Sequence, residues 1–143
     1  MENLKDYIGD KADKYLGKNL VLYVYPKDNT KGCTLEGQEF NRLLADFEKL
    51  DTLVVGISKD SEKSHEKFAD KYDLKQELLS DPDREVLSKL DVVKPGKMFG
   101  KDVLKTERST FIFDKEGKLV KEFRKVDPEK NPEEVLAYVR ENL

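Results

Sequence analysis

Residues Leu20-Val21-Leu22-Tyr23-Val24-Tyr25 make a continuous apolar, β-branched and aromatic run closed by Pro26. A run without polar alternation predicts a strand buried on both faces, as in the centre of a helix-covered sheet. After a polar loop, Phe40, Leu43, Leu44, Phe47 and Leu50 fall at i, i+3, i+4, i+7 and i+10. That spacing is one stripe of an amphipathic helix, beginning near Cys33. Leu53 to Ser58 supplies a second buried strand. Strand, helix and strand over residues 20–58 predict a βαβ unit with a right-handed crossover.

Further along, Ser61 has the character of an N-cap for a helix carrying His65, Phe68, Ala69 and Tyr72 on one face. Asp81-Pro82 starts a shorter helix with Val86, Leu87 and Leu90, Pro82 standing where helices tolerate it. Val93 to Gly100, with Pro95, Gly96, Gly100 and basic Lys94 and Lys97, reads as a solvated loop running on to Lys101. Ser109–Phe113 and Lys118–Val126 predict an antiparallel hairpin, with Gly117 at its left-handed turn position. Asn131-Pro132-Glu133-Glu134 reads as an N-cap, a proline at the first helical position and an acidic first turn, not an acid–base dyad. Residues before Leu20 are weakly patterned and allow only a short hairpin or turn. The order β-α-β-α-(β)-α-β-β-α predicts a thioredoxin-like α/β fold, a central mixed sheet flanked by helices.

A length of 143 residues predicts one domain spanning 1–143, with no room for a second substantial core. Lys+Arg 27 against Asp+Glu 30 gives a net charge of −3, which argues against nucleic acid, whose phosphates call for a basic face. The longest uncharged run, Asn19 to Pro26, is far short of the roughly 20 apolar residues that cross a bilayer. The start is charged from Glu2 and has no apolar leader core, so no secretory signal is expected. A single cysteine excludes an internal disulfide, and with a single histidine it excludes a four-ligand zinc site. The expected class is a soluble, cytoplasmic α/β domain with no membrane or nucleic-acid partner, a monomer or weak homodimer.

Cys33 follows a buried strand and opens a helix, the end of an α/β sheet where ligands bind. Free N–H groups and the positive end of the helix dipole favour a thiolate there. A buried, inert cysteine accounts for that position equally well. The flanking residues Pro26-Lys27-Asp28-Asn29-Thr30-Lys31-Gly32-Cys33 fit Pro-x-x-x-Thr-x-x-Cys, and Arg108-Ser109-Thr110-Phe111 stands far downstream. Tyr23-Val24-Tyr25, Cys33-Thr34-Leu35-Glu36, Gly56-Ile57-Ser58-Lys59-Asp60, Leu79-Ser80-Asp81-Pro82 and Lys97-Met98-Phe99-Gly100 occur in order between and around them. Together, over about Gly17 to Arg140, they resemble the bacterioferritin comigratory protein (peroxiredoxin Q) subfamily of peroxiredoxins. The chain departs from that pattern at Gln38, where many members carry a resolving cysteine, and in lacking an Ala-Pro-x-Phe start, so that the N-terminal hairpin is expected to be shortened or remodelled.

The resemblance implies a thiol-dependent peroxidase that reduces hydrogen peroxide and small organic hydroperoxides through a Cys33 sulfenic acid. A thiolate attacking a peroxide oxygen needs fixed donors for the charge that moves onto the departing oxygen. Arg108 supplies a permanent cation with several donors in one plane, Thr30 a hydroxyl, and Gly32 and Cys33 backbone N–H groups. Pro26 shields the sulfur from water, Glu36 orients Arg108, and Tyr25 adjoins the substrate. Taken singly, Pro26 can merely end a strand, Thr30 can cap a helix, and Arg108 and Glu36 can be ordinary surface charges. His65 reads as a packed side chain rather than a base, and Tyr23 as core. An external thiol such as thioredoxin, glutaredoxin or a small thiol is implied as reductant, and no metal, haem or flavin. Two other readings stay open: a monothiol disulfide reductase, since Thr30-Lys31-Gly32-Cys33 has Cys-x-x-Cys spacing, and a non-catalytic thioredoxin-like binding domain.

Overall fold

The computed structural model describes residues 2–143. Strand β1 (Asn19–Val24) is buried at every position, and its side chains divide between the two faces of the sheet. Leu20, Leu22 and Val24 pack into one apolar cluster, Val21, Tyr23 and Tyr25 into another. The unbroken apolar run is thus the signature of a strand covered on both sides. Helix α1 (Leu4–Ile8), helix α2 (Lys31–Lys49), strand β2 (Thr52–Ser58) and helix α3 (Glu62–Tyr72) surround or follow it. Next come strand β3 (Glu77–Ser80), helix α4 (Glu85–Lys89), strands β4 (Val93–Met98), β5 (Lys101–Thr106), β6 (Ser109–Phe113) and β7 (Leu119–Arg124), and helix α5 (Asn131–Asn142).

The main sheet runs β3-β2-β1-β6-β7. β1 pairs parallel to β2 and β2 to β3, while β6 pairs antiparallel to β1 and to β7. This is the mixed sheet with a βαβ core that the hydrophobic pattern predicts. One face is covered by α1, the short 3₁₀ segment Gly9–Tyr15 and α4, through Leu4, Tyr7, Ile8, Leu87 and Leu90. The other is covered by Phe40, Leu43 and Phe47 of α2, Phe68 of α3, and Val135, Leu136 and Val139 of α5. Ser61 caps α3 by accepting from the Ser64 N–H, and Gly117 turns the β6–β7 hairpin at φ 84°.

Four local expectations are corrected. Before β1, Leu4–Tyr15 is helical, started by an Asn3–Asp6 capping box, and among the described residues of this segment only Asn3 retains a bridge, to Lys118. Weak patterning hid it because α1 is barely more than one turn and is held by burial of Leu4, Tyr7 and Ile8 rather than by a long stripe. Val93–Gly100 is no loop: β4 and β5 form a separate antiparallel ribbon turned by Phe99 and Gly100 at φ 53° and 78°. Two consecutive positive φ values suit a tight hairpin turn, and Pro95 is tolerated because this ribbon has no third strand. Pro82 precedes α4 by a turn, and Asp81 instead accepts from the N–H groups of Glu85 and Leu87. Asn131 lies inside the first turn of α5; it is fully buried, and its amide oxygen accepts from Thr110 Oγ1 at 2.7 Å, pinning α5 to β6.

Candidate active site

Tyr25 continues β1 by donating its N–H to Ile57. The chain then bends at Pro26, turns through Asp28 and Asn29, and enters α2 at Lys31. Asn29 takes φ 58°, a left-handed value that asparagine tolerates better than most residues. This turn places Cys33 in the first helical turn, as the pattern predicts, with its side chain 1% exposed among Tyr23, Tyr25 and Phe40.

Arg108, from the link between β5 and β6, reaches this sulfur from the other side of the helix start. Its Nη2 lies 3.3 Å from Cys33 Sγ, and its Nη1 donates to Glu36 Oε1 at 2.7 Å. One planar group therefore spans sulfur and carboxylate at once, a geometry lysine cannot copy. Burial opposes the guanidinium charge, but Glu36 and the sulfur more than offset it. Glu36 is fully buried, and its Oε2 has no hydrogen-bond partner among the described residues. Burial pushes its carboxyl up to about 7, against the pull of Arg108. Gly32 gives Arg108 room: a Cβ there would stand 3.1 Å from Nη2, a tight contact, and 3.6 Å from Pro128 Cγ.

The remaining expected residues divide. Pro26 is half-buried beside the loop. Thr30 is exposed at the N-cap of α2, but its hydroxyl makes no cap bond; it donates to the Lys27 carbonyl at 2.8 Å. Tyr25 is buried, and its hydroxyl donates to Asp28 Oδ1 at 2.6 Å. The sequence does not foretell the places of Asp28 and Pro128 or the bonding of His65. Asp28 sits in the motif as an unspecified position, yet it is buried and receives Tyr25, Ser64 and His65. His65 is packed as expected but bonded into the loop, and Pro128 lines the Gly32 side. Contacts across 37 residues leave no periodic signal; a lone histidine on an apolar helical face is the only hint.

The site thus joins a buried cysteine at a helix start to a guanidinium that a glutamate holds. Residues 4–122 match the AhpC/TSA family. The chain belongs to that family. It is 43% identical to peroxiredoxin Bcp of Bacillus subtilis over 131 residues, 92% of this chain and 83% of the relative. Against peroxiredoxin Bcp of Xanthomonas campestris the figure is 44% over 126 residues, 88% and 79% of the two chains. The solved Xanthomonas campestris bacterioferritin comigratory protein, studied for alkyl peroxide reduction, superposes with a TM-score of 0.89 at 41% identity, covering 92% of this chain and 82% of that one. The chain is a thioredoxin-fold peroxiredoxin of the Bcp/Q type, a thiol-dependent peroxidase.

Proposed function

We propose that Cys33 is the thiol that peroxide oxidises, with Arg108 as its principal electrostatic partner. The observation that carries this reading is the 3.3 Å contact between Arg108 Nη2 and Cys33 Sγ. The thiolate attacks one peroxide oxygen; the S–O bond forms as the O–O bond breaks, and the electron pair leaves with hydroxide or alkoxide. A proton from solvent completes water or alcohol, and Cys33 is left as sulfenic acid. Arg108 faces the charge that grows on the departing oxygen. Glu36 fixes the guanidinium plane, and Gly32 leaves room for it. The Gly32 and Cys33 N–H groups are the backbone donors, Pro26 and Tyr25 wall the sulfur, and Thr30 can turn its hydroxyl from Lys27 toward a bound peroxide.

Hydrogen peroxide and small organic hydroperoxides fit a sulfur that is 1% exposed, and the Xanthomonas relative acts on alkyl peroxides. The chain has one cysteine, so the sulfenic acid passes to an external thiol: thioredoxin, glutaredoxin or a small thiol of the cytoplasm. An inert binding domain gives no reason for a half-buried guanidinium at the sulfur, and a disulfide reductase gives none for its tie to Glu36. One equivalent of hydrogen peroxide, followed by intact mass and thiol titre, tests the assignment. Wild type should gain one oxygen at Cys33 within seconds to minutes. Cys33→Ser should consume no peroxide; turnover near the wild-type rate in that variant removes Cys33 from the reaction.

A further inference from the structure

His65 is the only histidine, and it is 5% exposed between the cysteine loop and β3. Its Nε2 lies 2.9 Å from the Leu79 carbonyl oxygen. A carbonyl only accepts, so Nε2 carries a hydrogen. Its Nδ1 lies 2.7 Å from Asp28 Oδ2. The same carboxyl receives the Ser64 hydroxyl at Oδ2, 2.7 Å away, and the Tyr25 hydroxyl at Oδ1, 2.6 Å away. Donors converging on both oxygens favour the carboxylate. A carboxylate facing Nδ1 in turn calls for a second hydrogen on the ring, which makes the imidazole a cation.

Asp28 stands five residues before Cys33, at the turn of the loop. Its N–H donates to Asp60 Oδ2 at 2.9 Å, and that oxygen also takes the Ser58 hydroxyl at 2.7 Å. The loop's other side-chain ties, from Lys71 and Tyr72 to Asn29 and from Thr30 to Lys27, are exposed. We propose that His65, as an imidazolium, is a positioning residue for the peroxidase reaction: through Asp28 it clamps the Pro26–Cys33 loop onto α3 and β3, and loss of its proton loosens the loop and slows attack by Cys33. The inference rests on Cys33 being the reacting thiol. Deprotonation sets an Nδ1 lone pair against a buried carboxylate, so the clamp loses its bond and keeps an unmatched charge.

The groups facing this ring are mostly acidic. Asp28 comes from the loop, Asp60 from the β2–α3 connection, and the Tyr25 phenol from the end of β1. Glu62 and Glu66 of α3 and Glu77 of β3 line the cleft beside the ring, with Lys11 the one cation among them. Burial pushes the imidazole down, and the bond and charge of Asp28, the Leu79 carbonyl and Asp60 more than offset it, leaving it above its ordinary value. Burial pushes the Asp28 carboxyl up, and hydrogen bonds from His65, Tyr25 and Ser64 hold it below the usual range. For a base held above its ordinary value, the clamp is complete at lower pH and is lost as pH rises through the folded value.

A single histidine gives a single imidazole in long-range ¹H–¹⁵N correlation spectra, so its protonation can be read directly across pH, alongside the rate of peroxide consumption. The expected result is a ring protonated on both nitrogens at pH 7 and an alkaline fall in rate at the midpoint of the imidazole titration. In Asp28→Asn that midpoint should drop by about 1–3 units, and the fall in rate should move with it. His65→Gln should slow peroxide consumption at pH 7 by about 10-fold to 10²-fold and should abolish the alkaline fall, because nothing in the clamp then titrates. A neutral ring at pH 7 in wild type, or a rate profile that ignores the ring's titration, overturns the proposal even where the variants fail to fold. Turnover surviving in Cys33→Ser is a separate failure, of the thiol assignment, and leaves the spectroscopic reading of His65 intact.

Discussion

Arg108 reaches back 75 positions in sequence to the Cys33 sulfur and 72 to Glu36, and bonds both at once. The guanidinium is held from both ends, so in the proposed reaction it need not reorganise when charge moves onto the departing oxygen. Arg108→Ala should therefore slow oxidation of Cys33 by roughly 10²–10³-fold, the usual effect of losing one well-aimed donor. Arg108→Lys should recover little of this, because a point charge cannot reach sulfur and carboxylate together. The second-order rate constant with hydrogen peroxide, measured by stopped flow, is the check; an unchanged constant places Arg108 outside the reaction. Cys33, Arg108 and Glu36 were legible as motif positions. The obligation on Gly32 was not, because it arises from where Arg108 and Pro128 end up rather than from any local turn.

Helix α2 carries Cys33, the proposed nucleophile, at its start and the core stripe Phe40, Leu43 and Phe47 further on. Its first turns are fastened by the Glu36–Arg108 pair and by Gln76 Nε2, which donates to the Gly37 carbonyl at 2.9 Å. Gln38 is exposed on this helix, five residues after Cys33. Five residues of helix separate Cα atoms by roughly 8–9 Å, beyond the limit of about 7 Å for a disulfide. Gln38→Cys can thus form an internal disulfide only if the first turns unwind once Cys33 is oxidised. Gly37 helps, since glycine inside a helix costs about 0.8–1.0 kcal/mol relative to alanine. After one equivalent of peroxide the variant monomer should lose two hydrogens in non-reducing mass spectra, where wild type gains oxygen. A persistent sulfenic acid beside a free introduced thiol means that the fastenings hold and that this helix cannot serve a resolving cysteine at position 38.

For the molecule as a whole, the buried site sets a dependence of stability on pH. Glu36 has an ordinary value of 4.5 and a folded value of about 7, so the native state binds its proton more tightly than the unfolded chain. Its contribution is full below about 4.5 and is lost as pH rises through 7, the reverse of a carboxylate stabilised by an ion pair. Asp28, held below its ordinary range, contributes in the opposite sense and loses its share only in acid. Glu36→Gln should remove the first of these slopes. Tm at pH 5 relative to pH 8 should then fall by roughly 5–10 °C, read by thermal unfolding. An unaltered difference means that Glu36 does not change protonation over this range. By itself the sequence determined the buried parallel strands, the amphipathic helices and the motif around Cys33, because periodicity and spacing are local properties that survive in one dimension. The tertiary structure alone decided the β4–β5 ribbon and the N-terminal helix, whose short elements carry no long stripe. It also decided the bonding of Asp28 and His65 and the fit of Arg108 over Gly32. Those depend on which distant side chains a folded chain brings within hydrogen-bond distance, and burial then sets their charge.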